Sequence, residues 1–164
     1  MDKTQIKKTE PSRLGHEFSS KPISIIGIDR DDLNVISSLC QDALVVVQDL
    51  MFDAQENIFI IVLNRYCHEC EQADDHKMER VLCALYIENV TKVAKRGFLR
   101  AKQKKILYIL NLDFDPQEEM SLTINFAGDC AIKLSIDALK ITMRDLSEHW
   151  PTFNKPQHDK SHDQ

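Results

Sequence analysis

Residues 105–114 (KILYILNLDF) constrain the fold more than any other stretch, because their apolar residues alternate along the chain. Ile106, Tyr108, Leu110, Leu112 and Phe114 share one face of an extended segment, and Leu107 and Ile109 share the other. Only a strand places every second residue on one face. Apolar residues on both sides of its first half imply burial on both faces there. Asp115-Pro116 ends the run, since proline cannot donate to a continuing ladder. Alternation returns in Leu122, Ile124 and Phe126, turns at Gly128-Asp129, and continues in Ile132, Leu134 and Ile136.

Upstream, residues 23–28 (ISIIGI) form a short apolar run between Pro22 and Asp29. One amphipathic helix follows, opened by Asp29 or Arg30, with Asp31 and Asp32 in its first turn and Leu33, Ile36, Leu39, Cys40 and Ala43 on one face. Acidic residues there suit the helix dipole. Residues 44–52 (LVVVQDLMF) and 58–66 (IFIIVLNRY) read as a hairpin around the polar turn 53–57 (DAQEN), and residues 80–94 as a further strand. The register of the last strand breaks at Asp137-Ala138, after which Leu139, Ile141 and Met143 resume on odd numbers. A β-bulge explains that shift. A helix over 137–146 is the competing reading, through Ile136, Leu139, Met143 and Leu146, but β-branched Ile141 and Thr142 favour the bulged strand.

The expected class is α+β, mainly antiparallel β, with about seven strands and one helix near the N-terminus. Exposed strand edges need protection. A curled sheet, roll or partly closed barrel supplies it, and a two-layer β-sandwich is the alternative.

The chain has 164 residues, 43% of them apolar, which fits one domain with a real core. That domain is expected over residues 22–159, with a flexible tail at 1–21 and a disordered end at 160–164. A net charge of -5 argues against nucleic acid as the main partner. The N-terminal stretch lacks the apolar core of a secretory signal, and no apolar run approaches the roughly 18 residues of a membrane span. A cytoplasmic location follows as the expectation. In a reducing compartment the five cysteines are expected to be free thiols packed as small apolar residues.

Three features are candidates for chemistry. Cys67-His68-Glu69-Cys70 has zinc-chelating spacing, with His76 or Cys83 to complete a tetrahedral set. No second pair at similar spacing exists, and the pair follows a strand into an acidic loop, where a thiolate is disfavoured. Two incidental cysteines at a strand end are therefore the favoured reading, with neither metal nor cofactor. The second feature is a basic run containing Lys92, Lys95, Arg96, Arg100, Lys102, Lys104 and Lys105 with no acidic residue among them. It reads as a solvated loop with charged edge residues, or as a contact for nucleic acid, an anionic surface or an acidic partner. The third is the ending HWPTFNKPQHD, in which Trp150 is expected to anchor an extended tail and His158-Asp159 form a sequence-adjacent pair.

The stretches GIDRDDLNVISSLCQDA, VVVQDLMFDAQENIFIIVLNR, INFAGDCAIKLSIDALKITMRDL and HWPTFNKPQHD together resemble the bacterial domain of unknown function 2948, found mainly in alphaproteobacteria. The resemblance covers about residues 24–159. It implies no assigned activity, no catalytic residue to carry over and no cysteine pair at positions 67 and 70, and it supports an alternating final strand. The functional expectation is a non-enzymatic binding or protein-interaction module using the basic loop and the docked tail. The alternatives are a ligand-binding protein or enzyme with Arg65, Tyr66, His158 and Asp159 at a barrel mouth, and a structural homodimer that buries an edge strand.

Overall fold

The computed structural model describes residues 21–73, 78–98, 105–117 and 119–156. The tail expected at 1–21, apart from Lys21, and the end expected at 160–164 lie outside the described residues. Strands β1 (Ser24–Gly27), β2 (Leu44–Val46), β3 (Leu50–Asp53), β4 (Ile58–Tyr66), β5 (Glu79–Ile87), β6 (Val90–Arg96), β7 (Ile106–Asp115), β8 (Ser121–Phe126), β9 (Cys130–Ile136), β10 (Ile141–Asp145) and β11 (Trp150–Pro151) are joined by helices α1 (Arg30–Cys40) and α2 (His68–Ala73). All pairings are antiparallel, in the order β1-β10-β5-β4-β2-β7-β8-β9-β6, with β3 on β4 and β11 on β5.

The strands form one hydrogen-bonded sheet rather than two, and it is neither closed nor strongly curled. The expected roll or barrel is thus corrected. Closure was expected because edges invite pairing, yet both edges are guarded in other ways. β1 is only four residues long, and β6 exposes Lys92, Lys95 and Arg96.

The strand count exceeds the expected seven because three apparent strands are each two and the tail adds the short β11. A 3-10 turn at Val47–Asp49 splits β2 from β3, so β2 can bridge β4 and β7 while β3 pairs with β4 alone. Asn89, at φ 60°, separates β5 from β6. Left-handed backbone of this kind is tolerated best by Gly, Asn and Asp. The break at residues 137–140 is a crossing between strands and not a bulge. β9 pairs with β8 and β6, whereas β10 pairs with β1 and β5. The two crossings run side by side, Asp137 N–H donating to Asn89 O and Glu88 N–H to Lys140 O. The choice of strand over helix for residues 141–145 holds.

A bulge does occur in β7. Ile109 pairs with Phe126 but Asn111 with Asn125, so Leu110 is the extra residue. The shift moves Leu112 and Phe114 to the face of Leu107 and Ile109 and leaves Ile106, Tyr108 and Leu110 outside, each about half exposed. The expectation of burial on both faces of β7 is corrected accordingly.

Helix α1 begins as its sequence requires. Asp29 caps it by accepting from Asp32 N–H at 2.9 Å, while the Asp32 carboxylate accepts from Ile28 N–H at 3.0 Å. The first bond satisfies a donor that a helix start leaves open, and the second ties the end of β1 back to the first turn. Leu33, Ile36 and Cys40 are buried against β7, β1 and β4. Gly27 permits that approach, because a Cβ there would lie 3.0 Å from Ile36 Cδ1 and 3.1 Å from Ile141 Cγ2. Both halves of the sheet contribute to one apolar core, from Phe59, Ile61, Leu85 and Met143 to Leu122, Ile124, Ile132 and Leu134.

Candidate functional site

At one end of the core-facing side, the alternation of β4 and β10 turns polar. Odd-numbered residues of β4 face the core, and after Phe59, Ile61 and Leu63 the next is Arg65, fully buried. On β10, Ile141 and Met143 are followed by Asp145. The two meet as a bidentate pair, Arg65 Nε donating to Asp145 Oδ1 at 2.9 Å and Nη2 to Oδ2 at 2.8 Å. Glu69 closes the other side of the guanidinium at 2.7 Å, and Ile23 N–H donates to Asp145 Oδ2 at 2.9 Å. A buried charge survives only when paired and hydrogen-bonded in this way. Burial opposes the Arg65 charge, but Asp145 and Glu69 outweigh it and raise its pKa. Burial likewise works to raise the Asp145 carboxyl, but Arg65 and the Ile23 N–H hold it below the ordinary aspartate value.

Next to this pair lie the cysteines. Helix α2 starts at His68, directly after Cys67, and Cys70 and Glu71 N–H donate to Cys67 O at 3.1 and 3.3 Å. The acidic loop expected over residues 71–79 is helical in its first three residues, so Cys67 precedes a short helix and Cys70 lies in its first turn. Residues 74–77, including His76, lie outside the described residues. Cys67 and Cys70 form a disulfide, which departs from the expected free thiols. Cys40, Cys83 and Cys130 are free and buried, as expected. Burial pushes the Cys83 thiol up to about 12 and raises the Cys40 thiol as well.

His149 completes the cluster. It is 3% exposed, its Nδ1 lies 3.4 Å from Cys70 Sγ and 3.4 Å from Glu79 Oε2, and its Nε2 lies 3.7 Å from Asp145 Oδ2. Ligand atoms of Cys67, Cys70, Glu79 and His149 all fall within 4.8 Å of one another. The partners proposed for the cysteine pair from spacing were His76 and Cys83. The structure brings Glu79 and His149 there instead. Nothing in the local sequence announces these two, since β11 carries His149 to the start of β5 only through Trp150 pairing with Arg80 and Pro151 with Glu79.

The remaining sequence candidates do not converge. Tyr66 is buried on the face of β4 opposite to Arg65, its hydroxyl donating to Glu71 Oε2 at 3.1 Å beneath the Arg80 guanidinium. Arg65 and Tyr66 therefore share no pocket, and His158 and Asp159 lie outside the described residues. Trp150 is 36% exposed, so the tail is held by the β11 ladder, by Thr152 N–H to Met78 O at 2.8 Å and by a Lys155–Glu71 ion pair rather than by a buried indole. In the basic run, Lys92, Lys95, Arg96 and Lys105 are exposed, and Arg96 reaches Asp129 at 3.6 Å. Arg100, Lys102 and Lys104 lie outside the described residues. Surface depressions of about 300 and 410 Å³ open beside β6, one lined by Lys95, Arg96 and Lys133 and the other by Lys92, Glu119 and Asp137.

Among the described residues no helix is long and apolar enough to cross a membrane. Neither a curated protein nor a solved structure matches the chain. The family model described as "Protein of unknown function (DUF2948)" matches residues 23–158, which takes in every described strand and both helices, and the chain belongs to that family.

Proposed function

We propose that this chain is a cytoplasmic, non-enzymatic interaction module that docks a protein partner on the outer face of the sheet. The observation that carries this reading is an apolar face that no described element covers. One row crosses five strands, Ile26–Thr142–Tyr86–Ile60–Met51, with Ile26 60% and Met51 54% exposed at its two ends. A second row runs Leu82–Asn64–Leu44–Tyr108, and Ile106 and Leu110 extend it along β7. Contiguous apolar patches of this kind mark interaction surfaces more often than scattered exposed residues do. Three buried free thiols suit a reducing compartment.

The barrel-mouth enzyme is the weaker reading, because Arg65 and Tyr66 face opposite ways. An edge-to-edge homodimer is opposed on the β6 side by its lysines and Arg96. A photo-crosslinking phenylalanine analogue at position 108 in the native cell tests the proposal. It should yield adducts with a different protein, while the same analogue at position 133, on the basic β6–β9 part of the sheet away from the apolar rows, should not. Adducts only at 133, only with a second copy of the chain, or at neither position would overturn it.

A further inference from the structure

The cluster at the polar end of the core has the composition and the surroundings of a closed metal site. We propose that the reduced chain binds one zinc ion through Cys67 Sγ, Cys70 Sγ, His149 Nδ1 and a Glu79 carboxylate oxygen, and that the Cys67–Cys70 disulfide is the metal-free, oxidised form of this site.

Ligand chemistry is the first support. Two thiolates, an imidazole and a carboxylate form a four-member set suited to tetrahedral zinc, and too soft for calcium or magnesium. Distance is the second. With zinc–sulfur bonds of about 2.3 Å and zinc–nitrogen and zinc–oxygen bonds of about 2.0 Å, neighbouring ligand atoms in a tetrahedron lie roughly 3.3–3.8 Å apart. Cys70 Sγ and Glu79 Oε2 each already lie 3.4 Å from His149 Nδ1, and all four ligand atoms fall within 4.8 Å. Once the sulfur–sulfur bond is broken, the thiolates need only side-chain rotation to separate to that spacing.

A third support is independent of the ligands. A zinc-bound histidine usually presents its other ring nitrogen to a carboxylate that fixes its orientation. The Nε2 of His149 faces Asp145 Oδ2 at 3.7 Å, and Asp145 is itself fixed by Arg65 and the Ile23 N–H. Cys67, Cys70 and His149 are buried and Glu79 is nearly so, its side chain 15% exposed, which is the enclosure of a structural site without an open position. The charge agrees: the carboxylates of Glu79, Asp145 and Glu69 gather around the buried Arg65 guanidinium, and the two thiolates form as the dication binds.

The exchange balances simply. A dithiol reductant gives two electrons and two protons to the Cys67–Cys70 disulfide and becomes a disulfide itself, leaving two thiols. Zinc then replaces the two thiol protons, which pass to buffer. In reverse, a small-molecule disulfide takes two electrons from the thiolates and two protons from buffer, its sulfur–sulfur bond breaks to give two thiols as the Cys67–Cys70 bond forms, and the zinc leaves.

The test is cobalt(II) titration of the full chain, stripped of metal and held reduced, followed by displacement with zinc. One equivalent of cobalt should give tetrahedral ligand-field bands and a thiolate charge-transfer band, both abolished by one equivalent of zinc. Cys67→Ser, Cys70→Ser and His149→Gln should each weaken binding at least roughly 100-fold, and Asp145→Asn should weaken it roughly 10–100-fold with the bands retained. Oxidised protein should give no bands. Circular dichroism checks the folding of each variant, and should His149→Gln not fold, Glu79→Gln carries the same test from the exposed side of the cluster. A reduced chain with no tetrahedral cobalt spectrum, a spectrum lacking the thiolate band, binding by oxidised protein, or affinity unchanged in the folded His149 or Glu79 variant would each overturn the site.

Discussion

Around Ile124 and Ile132 the core side of the sheet carries only hydrocarbon, whereas at the far end of β4 and β10 the same side carries Arg65, Asp145 and His149, all buried. The two regions obey different rules. In the dry region a side chain matters through its volume, because each neighbour is another apolar group and the loss on truncation is transfer plus cavity. In the polar region a side chain matters through its partner, because an ion taken out of water is tolerable only while it is paired. An apolar core alone would satisfy the fold, so the polar end marks where the chain accepts a constraint that packing does not require.

The largest expected effect probes that constraint. Asp145→Ala should cost about 3–5 kcal/mol in urea unfolding, because Arg65 is left buried without its counter-ion. Replacing both partners, Arg65→Met with Asp145→Leu, should recover most of that loss. If the double variant is as unstable as the single one, the polar end does not differ in kind from the dry end. Acid sharpens the same point. The folded-state pKa of Asp145 is depressed, so its contribution is present above the unfolded aspartate value of about 3.9 and is lost as pH falls through the lower folded value. Acid unfolding of the double variant should lack that component.

In the dry region, Ile124→Ala should cost about 2–5 kcal/mol and show no acid dependence beyond that of the wild type. Reduction of the Cys67–Cys70 disulfide without metal should cost less, about 2 kcal/mol for so short a loop, and should act at the polar end alone. Urea curves with and without a dithiol reductant measure it, and Cys67→Ser/Cys70→Ser should remove the difference.

Legibility in the sequence follows the same division. β8, β9 and α1 were readable because one face of each is apolar and the signals are local, down to Asp29 as the cap. The bulge at Leu110 was not, since apolar residues run unbroken from Ile106 to Leu110 and either face looks equally suited to burial. The crossings at Asn89 and at 137–140 were hidden for a related reason: a break in register fits a bulge within one strand as well as a passage to another, and only long-range pairing reveals that the chain has changed neighbours. The polar cluster was the least legible part. Cys70 and His149 are 79 positions apart and Arg65 and Asp145 are 80, so no spacing rule connects them. A lone arginine in β4 looks like a strand end turning to solvent until its partner arrives from β10.

The smallest expected effect concerns the outer face, where neither rule should hold strongly. Tyr108 is 52% exposed and opposes Leu44 across the β2–β7 ladder. Tyr108→Thr keeps a residue that strands accept and removes cross-strand contact worth at most about 1 kcal/mol. Thermal unfolding should therefore move little, while partner recovery in a pull-down from the native cell should fall severalfold if this face is the docking surface. A large loss of stability would mean that the outer aromatic row supports the sheet, and the apolar face would then be explained by folding alone. An unchanged unfolding curve with undiminished partner recovery would instead move the docking surface elsewhere, leaving the exposed rows without a role. Small cost and large loss of binding is the one combination that separates this surface from both regions of the core, because only there would sequence be kept apolar at the expense of solubility for something outside the chain.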